Sequence, residues 1–97
     1  MNFEIPSRLP TTTATPFGAC DAQDQPFYLV RAGISLEDTL VQISQLLKSA
    51  HEAAYELTDS DLPQRGLVWS ALHQIETAKG LADALINGLA EHERSAR

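Results

Sequence analysis

Cysteine is nearly missing from this chain. Cys20 is its only thiol in 97 residues, so no disulfide can form within the molecule and packing alone must hold the fold. A lone thiol suits a reducing compartment. Basic charge is also scarce. Seven Lys and Arg stand against thirteen Asp and Glu, for a formal net charge of −6. The basic residues are scattered at Arg8, Arg31, Lys48, Arg65, Lys79, Arg94 and Arg97. Non-specific nucleic-acid affinity comes mostly from phosphate neutralisation by a basic patch. Without such a patch, direct nucleic-acid binding is not expected, and a negative field favours solubility.

Aromatic residues are few: Phe3, Phe17, Phe27, Tyr28, Tyr55 and Trp69. Any core must therefore be mostly Leu, Ile, Val and Ala. Long apolar runs are missing too. The longest charge-free stretch of the first helical pattern, Thr39 to Leu47, is far too short to span a bilayer. No basic segment followed by an apolar run opens the chain, so no secretory leader is expected. These features predict a soluble, cytoplasmic protein with no membrane contact.

The hydrophobic fraction of 43% and charged fraction of 21% are those of a globular domain, and the length suffices for one. Residues 1–25 read as a flexible tail, because Pro6, Pro10, Pro16 and the run Thr11–Thr13 show no apolar period. A helical-hairpin domain follows over 26–92, with a frayed C-terminus at 93–97. Within it, Phe27–Arg31 reads as a short strand between Pro26 and Gly33. A lone strand must pair with something, within this chain or with a second copy.

The first helix is predicted at about 35–57. Ser35 and Asp38 form a capping box with Asp in place of the usual Glu. Leu36, Leu40, Ile43, Leu47, Ala50, Ala54 and Leu57 then alternate spacings of four and three, a heptad seam. After the turn at Thr58–Asp61, Asp61 caps a second helix over about 62–91, with Pro63 in its first turn. Its seam is Val68, Ala71, Ile75, Ala78, Ala82, Leu85 and Leu89, and Gly80 and Gly88 weaken it slightly. Two long helices joined by a short turn pack antiparallel. The predicted class is thus all-α: a helical hairpin preceded by a short extended segment.

Each helix has apolar residues beyond its seam: Val41, Leu46 and Tyr55 on the first, Trp69, Leu72, Leu81 and Ile86 on the second. One facing helix cannot cover so wide a stripe. A hairpin of roughly 60 residues is also marginal alone. A second copy, giving a dimeric four-helix bundle with two-fold symmetry, is the simplest remedy. The alternatives are cover by the tail and the Phe27–Val30 segment, or a different protein partner. Trp69, Leu72, Leu46, Ile86 and Val41 are the candidate interface residues, with Trp69 first because aromatic anchors are enriched at interface centres.

Nothing points to catalysis, a metal or a cofactor. His73 and Glu76 share a helix face, but di-iron bundles need Glu-x-x-His on two helices with inward glutamates, and here the order is reversed and single. Cys20 lies beside Asp21, which disfavours a thiolate. Gly33 and Gly66 are isolated, so no phosphate loop is present. Glu52, Glu56, Asp59 and Asp61 gather near the turn and read as a solvated helix end, the other reading being a surface offered to a basic partner.

The run Phe27-Tyr-Leu-Val-Arg-Ala-Gly-Ile-Ser-Leu-Glu-Asp-Thr-Leu40 leads from a strand through Val30, Gly33, Ile34 and Ser35 into the first helix. Over about residues 27–90 it resembles a family of short bacterial proteins, common in pseudomonads, catalogued as a domain of unknown function. The resemblance implies a bacterial, cytoplasmic, helical protein and carries no activity with it. The expected function is a non-enzymatic interaction or regulatory module. An antitoxin-like inhibitor of nucleic-acid machinery and a small-ligand-binding bundle are the alternatives.

Overall fold

The computed structural model describes residues 9–58 and 65–95. The chain forms β1 (Thr15–Cys20), β2 (Pro26–Val30), α1 (Leu36–Thr58) and α2 (Arg65–Ser95). The fold is mostly helical, with a two-stranded antiparallel sheet before the helices.

Asp21 builds the β-turn. Its Oδ1 accepts from the amides of Gln23 (2.9 Å) and Gln25 (3.0 Å), and its own amide donates to the Gln25 carbonyl at 2.8 Å. Such side-chain bonds to nearby backbone are what make Asp a turn residue. Asp24 completes the reversal in the left-handed region, φ 63°. The register pairs Thr15 with Val30, Pro16 with Leu29 and Phe17 with Tyr28, then slips before Cys20 meets Pro26. Gly18, φ 81°, sits in that slip, where a bulge needs a residue free of Cβ strain.

Ahead of β1 the chain crosses back over the helices. Thr12 is almost fully buried and ties the crossing together. Its Oγ1 donates to the Arg31 carbonyl (2.8 Å) and accepts from the Ile34 amide (2.9 Å). Backbone bonds link Thr12 to Ile34 and Gly33, and the Thr13 amide donates to the Ala84 carbonyl at 3.1 Å. β1 begins inside the stretch 1–25 that composition reads as a tail. Thr11–Cys20 is instead part of the fold, because the turn at Asp21 lets it pair with β2.

Ser35 caps α1: its Oγ accepts from the Asp38 amide at 3.1 Å, as the capping motif predicts. α1 buries or half-buries Leu36, Thr39, Ile43, Leu46, Ala50, Ala53 and Leu57. The matching row on α2 is Leu67, Ala71, Gln74, Ala78, Leu81 and Leu85. Half of each predicted seam is right: Leu36, Ile43, Ala50 and Leu57, then Ala71, Ala78 and Leu85. The other half is displaced by one residue, so Leu40, Leu47, Val68, Ile75 and Leu89 are exposed. Thr39 can occupy a seam position because its hydroxyl donates to the Ser35 carbonyl at 2.7 Å, leaving its methyl to pack. The bond between Gln74 Nε2 and Ser49 Oγ (2.9 Å) fixes the pair midway along.

Val30, Leu81 and Ala84 form the buried centre, with Phe17, Ile34, Ile43 and Leu46 packed on it. Leu46, a candidate interface residue, therefore serves the chain's own core. α2 reaches Ser95 and takes in Glu93 and Arg94, which composition assigns to a frayed end. The predicted cap Asp61, Pro63 and the turn after Thr58 lie outside the described residues, as do residues 1–8.

Candidate interaction surface

Two faces of the helical pair differ in kind. A step of one residue along a helix turns the side chain by roughly 100°. Because α1 and α2 run antiparallel, a step in the same sense on each turns toward the same side of the pair. One step before the α2 seam lie Gly80 and Ala84, both buried. Together with Gly88 they form a small-residue row at spacing four that the Thr11–Phe17 segment covers. A Cβ at Gly80 would stand 2.7 Å from Phe17 Cγ, and one at Gly88 would meet the Thr11 carbonyl oxygen. The glycines are therefore seats for the crossing chain.

One step after each seam lies the opposite face. It presents Leu40, Leu47 and Ala54 on α1 and Val68, Ile75 and Leu89 on α2, all exposed. Leu40 is 52% exposed, and Leu47 and Ile75 are 49% exposed each. The same step brings Glu37 and Lys79 to this side as well, both exposed, at the outer margin of the apolar row. At its open end, Pro10, Leu36, Leu85, Ile86 and Leu89 line a hollow of about 230 Å³. The remaining candidate residues are exposed: Leu72 and Ile86 border this face, while Trp69 and Val41 lie further round their helices.

A wider cleft of about 710 Å³ opens at the other end of the helices, lined by Ser49, Glu52, Glu56, Ser70 and Gln74 among others. Gln74 Oε1 is buried there without a hydrogen-bond partner among the described residues. The cleft brings Glu52 and Glu56 together, while Asp59 and Asp61 lie outside the described residues. His73 packs its ring on Tyr28, centroids 5.1 Å apart, and Tyr28 stacks on Phe17 at 5.4 Å. His51 lies 6.3 Å from the Tyr55 ring. Cys20 is exposed at the end of β1. Among the described residues no three His, Cys, Asp or Glu side chains converge as a metal site would require. No described helix is long and apolar enough to cross a membrane.

The model of a protein family of unknown function, DUF3077, matches residues 11–88. The chain belongs to that family. The DUF3077 match begins at Thr11, where the backbone first bridges to Ser35, and ends at Gly88, the last glycine seat. It thus spans the crossing segment, the hairpin and the paired helices as one unit. No curated protein and no solved structure matches the chain.

Proposed function

We propose that this DUF3077 protein is a non-enzymatic protein–protein interaction module, regulatory in role, that works in the bacterial cytoplasm as a homodimer. The bare double row of Leu40, Leu47, Val68, Ile75 and Leu89 supports this reading more than any other observation. Such a row has the width and the apolar character of a bundle core cut in half, as in obligate dimers. A two-fold axis through it would pair like rows and make a four-helix bundle with the β-hairpins on the outside. Trp69 and Leu72 would then stand at or beyond the rim, free for another protein. The single thiol fits a reducing cytoplasm, and the net charge of −6 argues against direct contact with nucleic acid or an anionic membrane.

Light scattering over a dilution series tests it. The expected mass is twice the 10.6 kDa of one chain. A helical, cooperatively folding monomer at every concentration would remove the dimer from the reading.

A further inference from the structure

The β-hairpin has two edges, and they are not equivalent. Pro16 pairs with Leu29 and has no amide hydrogen, so that pair cannot exchange two hydrogen bonds. The flanking pairs Thr15–Val30 and Phe17–Tyr28 must supply the ladder. By alternation the N–H and C=O of Phe27 and Leu29 point away from β1. The outer edge of β1 is blunted by Pro16, which native sheets use to close an edge, and its chain continues into the Thr13–Ala84 bond on α2. The outer edge of β2 has neither protection. Among the described residues, no hydrogen bond reaches the outward N–H or C=O of Phe27 or Leu29. The two residues are 66% and 61% exposed, whereas Tyr28 packs inward on Phe17 and His73.

We propose that the free edge of β2 is a docking site for an extended segment of a partner protein, which adds as a third, antiparallel strand. Only an extended backbone can satisfy amides and carbonyls spaced along a strand edge. The apolar side chains of the added strand lie beside Phe27 and Leu29 on the outer face. With the strand antiparallel, the charges at the ends of β2 set the charges at its two termini. Arg31 stands exposed just past one end of β2 and Asp24 in the turn before the other. The matching segment therefore begins with an acidic residue near Arg31 and ends with a basic residue near Asp24. This names the surface and the kind of partner for the interaction role proposed above. It rests on that role, but uses a face that the helical dimer leaves open.

The test uses a fluorescein-labelled eight-residue peptide that starts with glutamate, alternates valine and threonine, and ends with lysine. Anisotropy is read on the full chain, with light scattering on the same samples. The expected result is saturable binding that weakens at least tenfold for Phe27→Lys and Leu29→Lys. Binding should also vanish when the peptide is N-methylated throughout, which removes its edge donors. Equal binding of the methylated peptide, or no binding of the parent at millimolar concentration, overturns the proposal. A fall in mass in the two lysine variants also overturns it, because β2 would then be occupied by a second copy. Failure of the dimer reading shows separately, as a monomeric mass in the unaltered chain.

Discussion

The Thr11 carbonyl oxygen occupies the place where a Cβ on Gly88 would stand. No side chain can share that space, so the crossing segment and the helix are fitted to each other at the level of backbone. Gly88→Ala should gain about 1 kcal/mol of helix propensity and still lose overall. Overpacking typically costs about 1–3 kcal/mol, and here the obstacle is main chain. Gly80→Ala meets the Phe17 ring, which can shift, and should cost less. Gly66→Ala meets nothing within 4 Å and should be neutral or slightly stabilising. Urea unfolding of the three variants should give that order, and an unharmed Gly88→Ala would show that the segment does not seat on α2.

Thr12 tests the other anchor of the same segment. Its hydroxyl serves the Arg31 carbonyl and the Ile34 amide from a buried position. Thr12→Val preserves shape but strands both backbone groups, which should cost about 1–3 kcal/mol. Thr12→Ser keeps the hydroxyl and should cost less. Equal stability of the two variants in thermal unfolding would mean that water replaces the hydroxyl.

These anchors mark where the sequence could and could not be read. The first helix at about 35–57, the Ser35 cap and the strand at Phe27–Arg31 follow from local chemistry, and the structure has them shifted by one residue at most, with α1 at Leu36–Thr58 and β2 at Pro26–Val30. β1 was hidden because Thr15–Cys20 contains Pro16 and Gly18 and shows no alternation; its pairing depends on the Asp21 turn and on contact with α2. Gly80 and Gly88 look like flaws in a helix when taken singly. With Ala84 they recur every four residues, and that spacing was the available sign of a backbone seat. The seams were harder. α1 offers two adjacent rows, one of leucines and one holding Thr39, Leu46 and Ala53. Apolar content favours the leucines, but the small row lets α2 approach closely while Leu46 reaches the hairpin core.

Ser35 is where local chemistry and structure agree, so its prediction is simple. Ser35→Ala removes the acceptor for the Asp38 amide and should destabilise the fold by about 1 kcal/mol. Ser35→Asp retains an acceptor and adds charge that suits the helix N-terminus, so it should recover most of that loss. Chemical denaturation midpoints decide it: a Ser35→Asp variant no better than Ser35→Ala would mean that the cap contributes little.

The dimer prediction separates the exposed row from the rest of the apolar surface. Leu47 and Ile75 sit in the middle of the apolar row, half-exposed in the single chain. Glu at either position adds little strain to a monomer, whereas a paired face would bury two copies of the charge across a two-fold axis. Burying unpaired charge costs several kcal/mol, enough to shift a micromolar dimer to monomer. Leu47→Glu and Ile75→Glu should each halve the mass in light scattering while the helical circular dichroism signal persists. Trp69 is 67% exposed and lies further round α2, so Trp69→Ala should leave the mass unchanged. If Trp69→Ala dissociates the protein and Leu47→Glu does not, the self-association surface is the Trp69 side of α2, and the double row of leucines needs a different cover.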